Sequence, residues 1–380
     1  MKKSISRWYL IQNIIALIII IGFHLNLLQT ILFGLVLLLS IIFSFDFGSP
    51  TQLKKANWFV QFFLQPWALI TAWNTIYLVL VQHHLNNWGL LTILFLYYLV
   101  MFIPFVFIIA AKAKNLILRL IFTYSQFFII VLALNRFNNN ILLSSTILQA
   151  VSYFIFIVLL MRLWGAAGPN LKANKNESVW IIVSLIIFTL AFIILNAWNN
   201  ISSIHQLIND IYRDKITNFL QSLETGIAEE VTFRYGLSIC FLWIFEKSSH
   251  RLIFTIFGSS IFFGLSHLAN LTTGQGLMPT LSQVIFAFSS GLLFMMWFLY
   301  TGKLWITIFL HFFLDWVSTF GHDSMTVNSI LNSIIKTTPE FIGAFAILIV
   351  FGGLLIWMMH GKRRQVMEEH AQALIGYHKS

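Results

Sequence analysis

Apolar runs of about 20 residues follow one another along nearly the whole chain. A run of that length can span the hydrocarbon core of a bilayer as an α-helix, and lipid cannot satisfy the backbone of an open sheet. Charged residues make up only 9% of the chain, whereas soluble domains carry about 25%. The sequence therefore predicts an all-α fold, that of a polytopic helical membrane protein.

The apolar pattern divides into twelve candidate transmembrane helices. We place them near 8–23, 27–45, 58–81, 88–111, 116–134, 141–161, 179–198, 227–245, 252–268, 277–300, 304–321 and 340–360. Between the seventh and eighth, Ile201–Thr225 alternates apolar and charged residues, which predicts an amphipathic segment on the outer membrane surface.

The Lys and Arg residues predict which side of the membrane each connection faces. With a cytoplasmic N-terminus, eighteen of these residues fall in cytoplasmic segments and Arg234 lies inside a span. Four fall in outer segments: Arg136, Arg213, Lys215 and Lys336. By the positive-inside rule, both termini are expected in the cytoplasm. The basic residues form no patch, so the net charge of +10 does not indicate a nucleic-acid partner.

The most polar and turn-rich linker, Gly165–Glu177, predicts a domain boundary. We expect an N-terminal transmembrane helical region over 1–175, a core over 176–361 that carries the chemistry, and a basic cytoplasmic tail over 362–380. The single cysteine, Cys240, excludes an internal disulfide and a cysteine-based zinc site.

Two adjacent carboxylates and an arginine, Glu229, Glu230 and Arg234, open the eighth apolar run. Ionisable groups at membrane depth are costly and usually mark a functional site. Glu230 and Arg234 are spaced i, i+4, which predicts a buried ion pair. Glu229 points about 100° away from Glu230 on a helix, and we expect it to face the histidines of later spans.

Two histidines lie in later spans. His267 ends the ninth span, and His311 and Asp315 share one face of the eleventh. The predicted topology puts these residues and Glu229 in the outer half of the membrane. Together they are the parts of a hydrolytic site, with or without a metal. The alternative for each is structural: an ion cluster, an interfacial anchor at His267, or an interhelical hydrogen-bond pair at His311 and Asp315.

The order and spacing of these residues resemble the three motifs of the CPBP intramembrane proteases, the CAAX-processing and bacteriocin-processing enzymes also called the Abi family. The matching motifs are Glu229-Glu230-x-x-x-Arg234, Phe263-x-x-x-His267 and His311-x-x-x-Asp315. The resemblance covers roughly 180–320. It implies an endopeptidase of the bacterial plasma membrane that hydrolyses a membrane-associated peptide or protein, in bacteriocin processing, self-immunity or peptide signalling.

The resemblance also implies roles for individual residues. Glu229 would activate water, with Glu230 and Arg234 in support, and His267 and His311 would be catalytic. Phe263 and Asn270 are expected to support the site. If a divalent metal such as zinc is bound, the resemblance makes His267 and His311 its ligands. A set of two histidines and a glutamate with a bound water would be ordinary zinc chemistry. Asp315 stands where eukaryotic CAAX enzymes carry asparagine; an ionised carboxylate cannot donate to an oxyanion, so orienting His311 is its expected role.

Two other function classes fit the same buried charges. A non-catalytic membrane scaffold or immunity protein would keep the pocket and bind a partner. A transporter would use the carboxylates and histidines to relay protons or bind solute, and inverted repeats would favour it. No such repeat is visible in the sequence.

Overall fold

The computed structural model describes residues 2–23, 27–45, 51–83, 88–134, 143–172, 176–198, 216–319 and 330–376. Within these stretches the regular structure is helical, apart from one isolated bridge between Asn170 and Lys303. The predicted all-α class is confirmed. The chain divides into two compact units, Met1–Trp164 and Gly165–Ser380.

The division at Trp164 lies before the expected boundary at 175/176. The start of the polar linker packs within the second unit, because its backbone is hydrogen-bonded there. The amide of Ala167 donates to Leu374 O at 2.8 Å, and the amide of Leu171 donates to Gly302 O at 2.8 Å.

The first unit is built from seven helices in the part of the chain that the structure describes. They are α1 Lys2–Gly22, α2 Leu27–Phe45, α3 Thr51–Gln82, α4 Trp88–Val100, α5 Ile103–Ile108, α6 Leu116–Leu134 and α7 Leu143–Leu163. A 3₁₀ turn, Ala110–Lys112, follows α5. The span expected over 88–111 is broken between α4 and α5, since Pro104 lies in the first turn of α5, where its missing N–H costs least.

The second unit carries the later elements. They are α8 Val179–Trp198, α9 Ile216–Glu230, the π-helical segment Val231–Leu237, α10 Ser238–Ile244, α11 Arg251–Ser266, the 3₁₀ segment His267–Thr273, α12 Leu277–Thr301, α13 Leu304–Ser318, α14 Ile330–Met358 and α15 Gly361–Ile375. Of the expected amphipathic segment, residues 201–215 lie outside the described part, and the rest begins α9.

Helix α12 is the centre of the second unit. Each of its residues from Ser289 to Thr301 is buried, and it packs against α11 and α14. Glycines let α11 and α12 approach closely: a Cβ on Gly264 would lie 2.9 Å from Val284 O, and one on Gly291 would lie 3.0 Å from Ser260 Cβ. Small residues play this role where helices pack in membranes.

Seven helical segments in the described residues are long and apolar enough to cross a membrane: Lys3–Gly22, Leu27–Phe45, Thr51–Leu80, Gly89–Lys112, Arg251–Thr273, Leu277–Thr301 and Phe341–Met358. Shorter apolar helices cover Leu116–Phe128, Ile147–Leu163, Val179–Ile194 and Leu304–Ser318. Large apolar side chains such as Ile18, Ile187 and Ile349 are exposed on these helices, as lipid-facing residues would be. A polytopic helical membrane protein is thus confirmed, while the count of twelve spans stays a prediction.

The segment expected as a basic tail is a helix that packs on the second unit. Along α15, Val366, Met367, Ala371, Leu374 and Ile375 are buried, and they recur at the spacing of one helical face. Arg251, at the start of α11, pairs with Glu368 of α15. The charges of Lys362, Arg363 and Arg364 dominated the sequence pattern and hid this apolar stripe.

Candidate active site

The acidic pair lies where α9 passes into the π-helical segment. Glu230 is the last residue of α9 and is fully buried, and all seven residues of Val231–Leu237 are buried. Hydroxyl groups contact the helical carbonyls on both sides of the change: Thr232 Oγ1 donates to Ala228 O at 2.7 Å and Ser238 Oγ to Arg234 O at 2.5 Å. Such back-bonding bends helices, and π-helical turns occur frequently at functional sites.

His311 lies between the two neighbouring glutamates. Its Nδ1 is 2.7 Å from Glu230 Oε1, and its Nε2 is 3.4 Å from Glu229 Oε2. The adjacent carboxylates therefore do share one partner, and they reach it from opposite nitrogens of the ring. Asp315 Oδ2 lies 3.5 Å from the same Nε2. The expected pairing of His311 with Asp315 on one helical face is present.

Arg234 forms the expected ion pair with Glu230. Its Nη2 lies 3.1 Å from Glu230 Oε1, and both side chains are fully buried. Its guanidinium nitrogens have no aligned hydrogen-bond acceptor among the described residues. The cation instead lies over two aromatic faces, 4.2 Å from the ring centre of Phe263 and 5.5 Å from that of Phe294. Arg234 is thus held by one carboxylate and two rings.

A glycine sets the distance between the two helices that meet at His311. On α9, a Cβ added to Gly226 would lie 3.1 Å from both Ile308 O and Phe312 N of α13. These are backbone atoms, which cannot move aside as a side chain can. The close approach of α9 and α13 one turn before Glu230 brings the acidic pair within reach of His311.

His267 joins this centre through Phe263. Its Nδ1 lies 3.0 Å from Phe263 O, and its ring meets that of Phe263 edge-on, with 5.1 Å between centres. The Phe263 ring also contacts His311, with 5.7 Å between the two ring centres. Asn270, expected in support, donates from Nδ2 to Gln283 Oε1 at 2.9 Å and so fixes the 3₁₀ segment to α12.

Sequence reasoning missed Phe294, on α12. Its ring stacks on His311 with 5.3 Å between centres and a 30° angle, in addition to its contact with Arg234. Phe294 is fully buried. In a chain with 39 phenylalanines, nothing local distinguishes this one, and only the packing of α12 beside α13 identifies it.

The arrangement of the donor side chains decides whether this centre fits a metal. In the described residues, no group of three or more His, Cys, Asp or Glu side chains is arranged to hold a metal ion. Both ring nitrogens of His311 face carboxylates, and Nδ1 of His267 faces a carbonyl oxygen. The residues as placed do not fit the metal that the resemblance allows.

The fold and this centre define a multi-pass helical membrane protein with carboxylates, an arginine and histidines gathered among its helices. Residues 215–317 match the family model described as type II CAAX prenyl endopeptidase Rce1-like, a model of the CPBP family. The resemblance seen in the three motifs is confirmed, and the matched segment contains all of them. The match supports intramembrane endopeptidase function. No curated protein and no solved structure matches the chain.

Proposed function

We propose that this protein is an intramembrane endopeptidase in which Glu229 activates the water that attacks a membrane-associated peptide or protein. The observation that carries the proposal is the position of His311, with Glu230 at Nδ1 and Glu229 at Nε2. A purely structural pair would need only one of these carboxylates. The side chain of the second, Glu229, is 13% exposed, whereas that of Glu230 is fully buried.

The two glutamates take different tasks. Glu230 is ion-paired with Arg234 and so acts as an acceptor, which places a proton on Nδ1 of His311. Nε2 of His311 then faces Glu229 and Asp315. Because carboxylate acceptors face both ring nitrogens, the ring carries a proton on each. In this arrangement Glu230 fixes the plane of the ring, while Glu229 and His311 contact the reacting water.

The proposed hydrolysis needs no reagent other than water. Glu229 accepts a proton from water as the water oxygen bonds to the scissile carbonyl carbon. The tetrahedral intermediate then collapses, the carbon–nitrogen bond breaks, and the proton from Glu229 passes to the leaving amine. We assign His267 to the substrate side: its Nδ1–H donates to Phe263 O, so Nε2 would accept a hydrogen bond from a substrate N–H. Asp315 is assigned to orienting His311.

We place the substrate among membrane-associated peptides and proteins of a bacterial plasma membrane, including peptides of bacteriocin processing, self-immunity or signalling. The charge bias of the connections supports cytoplasmic termini and an active site in the outer half of the membrane.

The test maps newly formed peptide termini. Cells lacking the protein receive the wild-type chain, Glu229→Gln or Glu246→Gln at equal membrane levels, and the N-termini of membrane and secreted peptides are chemically labelled and quantified. Glu246 is exposed after α10, so Glu246→Gln makes the same chemical change outside the centre. We expect termini that depend on the wild-type chain, persist with Glu246→Gln and vanish with Glu229→Gln.

Termini that form equally with Glu229→Gln would disprove the role of Glu229. Absence of any terminus that depends on the wild-type chain would favour the non-catalytic scaffold instead.

A further inference from the structure

The first unit contains a cavity far from any residue of the CPBP motifs in sequence. Its volume is about 780 Å³. It lies where α1 and α3 begin and where α2 and the 3₁₀ turn after α5 end, so the same end of four successive helical elements surrounds it. This agrees with the alternating path predicted for the first four spans.

Three lysines, Lys54, Lys55 and Lys112, line the cavity, and no Asp or Glu lines it among the residues that the structure describes. The first unit as a whole also carries a net positive charge. Residues 1–164 contain ten Lys and Arg and a single acidic residue, Asp46. Even if Asp46 pairs with one lysine of the cavity, a net positive charge remains there. Such a site attracts anions.

The rest of the wall is apolar and aromatic. Leu39, Ile42, Val60 and Ile108 line it, as does Trp58, whose Nε1 donates to Ile109 O at 3.0 Å. Tyr9 also lines the cavity, and its side chain is buried. Cations at one end of an apolar wall match a ligand with a charged head and a hydrocarbon body.

We propose that this cavity binds an anionic phospholipid, with the headgroup phosphate among Lys54, Lys55 and Lys112 and an acyl chain along Leu39, Ile42 and Val60. Basic pockets between transmembrane helices bind anionic headgroups. A small free anion would leave the apolar wall unused, and a zwitterionic lipid would gain little from three lysines. The bound lipid stabilises the first unit, and this role is independent of the peptidase proposal.

Thermal unfolding of the purified full-length protein in detergent tests the proposal. Phosphatidylglycerol, phosphatidylcholine or inorganic phosphate is added, and unfolding is followed by tryptophan fluorescence. Phosphatidylglycerol should raise the unfolding midpoint by about 5 °C more than phosphatidylcholine does. The double variant Lys54→Gln with Lys112→Gln should lose at least half of that difference. Lys54→Arg with Lys112→Arg should keep it, which separates loss of binding from loss of folding.

The matched control is Lys3→Gln with Lys114→Gln, which removes two charges from the same unit outside the lining and should respond as the wild type does. An equal loss in this control would overturn the proposal, because surface charge would then explain the effect. Equal shifts with the two lipids would also overturn it. A full shift with inorganic phosphate alone would replace the lipid by a free anion.

Discussion

Glu230 Oε1 lies 2.7 Å from Nδ1 of His311, and this contact ties α9 to α13 in the interior of the second unit. The same oxygen lies 3.1 Å from Nη2 of Arg234. One carboxylate oxygen thus neutralises a buried cation and orients an imidazole. Its neighbour Glu229, by contrast, contacts the other ring nitrogen and keeps some exposure.

This division of labour predicts different outcomes for two otherwise identical substitutions. Glu230→Gln leaves the buried Arg234 without its ion-pair partner, because its other contacts are aromatic rings. This should cost about 3–5 kcal/mol of folding free energy. Glu229→Gln should leave folding intact and lower the cleavage rate by about 10²–10⁴-fold. Thermal unfolding and terminus mapping measure the two effects. Equal stability of both variants, with cleavage lost only in Glu230→Gln, would reverse the assignment.

Gly226→Ala should separate the acidic pair from His311. Its new methyl group would meet the backbone of α13 at 3.1 Å, so α9 must shift outward. We expect about 1–3 kcal/mol of destabilisation and a loss of about 10²-fold in rate. Gly343→Ala is the control, because a Cβ there meets nothing within 4 Å. A Gly226→Ala protein with normal cleavage would show that the helix spacing is not critical.

Phe294→Leu should slow cleavage by removing the ring that stacks on His311. On a substrate identified by terminus mapping, we expect kcat to fall on the order of 10-fold with KM unchanged, since only the reacting group is misaligned. Phe298→Leu makes the same change one turn later on α12, where the side chain is equally buried. If both variants lose the same activity, Phe294 acts only through general packing.

Met367→Lys should prevent accumulation of the folded protein. Met367 is fully buried on α15, and an unpaired ammonium there should cost about 3–5 kcal/mol. Gln365→Lys, on the exposed side of the same helix, should be tolerated. Membrane levels and thermal unfolding report the difference. Tolerance of both lysines would mean that the segment behaves as a free tail.

Cysteine labelling tests which side of the membrane the site faces. Two cysteines are introduced separately in a Cys240→Ser background. Thr273→Cys lies at the end of the 3₁₀ segment that begins at His267, and Ser249→Cys lies just before α11. Both positions are exposed. A membrane-impermeant thiol reagent should label Thr273→Cys in intact cells and Ser249→Cys only after permeabilisation. The opposite pattern would place the site on the cytoplasmic side.

The sequence predicted the helices of the second unit well where apolar length decides the structure. It also predicted the ion pair of Glu230 with Arg234, because i, i+4 spacing requires only a local helix. The contact of both glutamates with one imidazole was not predictable in this way. It depends on Gly226, whose close approach to α13 is a tertiary property.

Two other features of the fold were also missed. Helix α15 combines a charged start with a buried stripe, and the charges dominated the sequence interpretation. The break at Pro104 splits one apolar run into α4 and α5, which hydropathy alone does not report. In both cases average composition concealed a residue-by-residue pattern.

The π-helical segment Val231–Leu237 sets the rotational phase between two halves of one continuous helical path. Upstream, the glutamates must face α13; downstream, Trp243 Nε1 donates to Ile375 O at 3.4 Å. A wider turn holds one more residue than an α-turn, so deleting a single residue here would rotate one half against the other by about 100°. The chain would then lose either the contacts of Glu229 and Glu230 with His311 or the hydrogen bond of Trp243 to Ile375. Residue number in this stretch is consequently as constrained as residue identity.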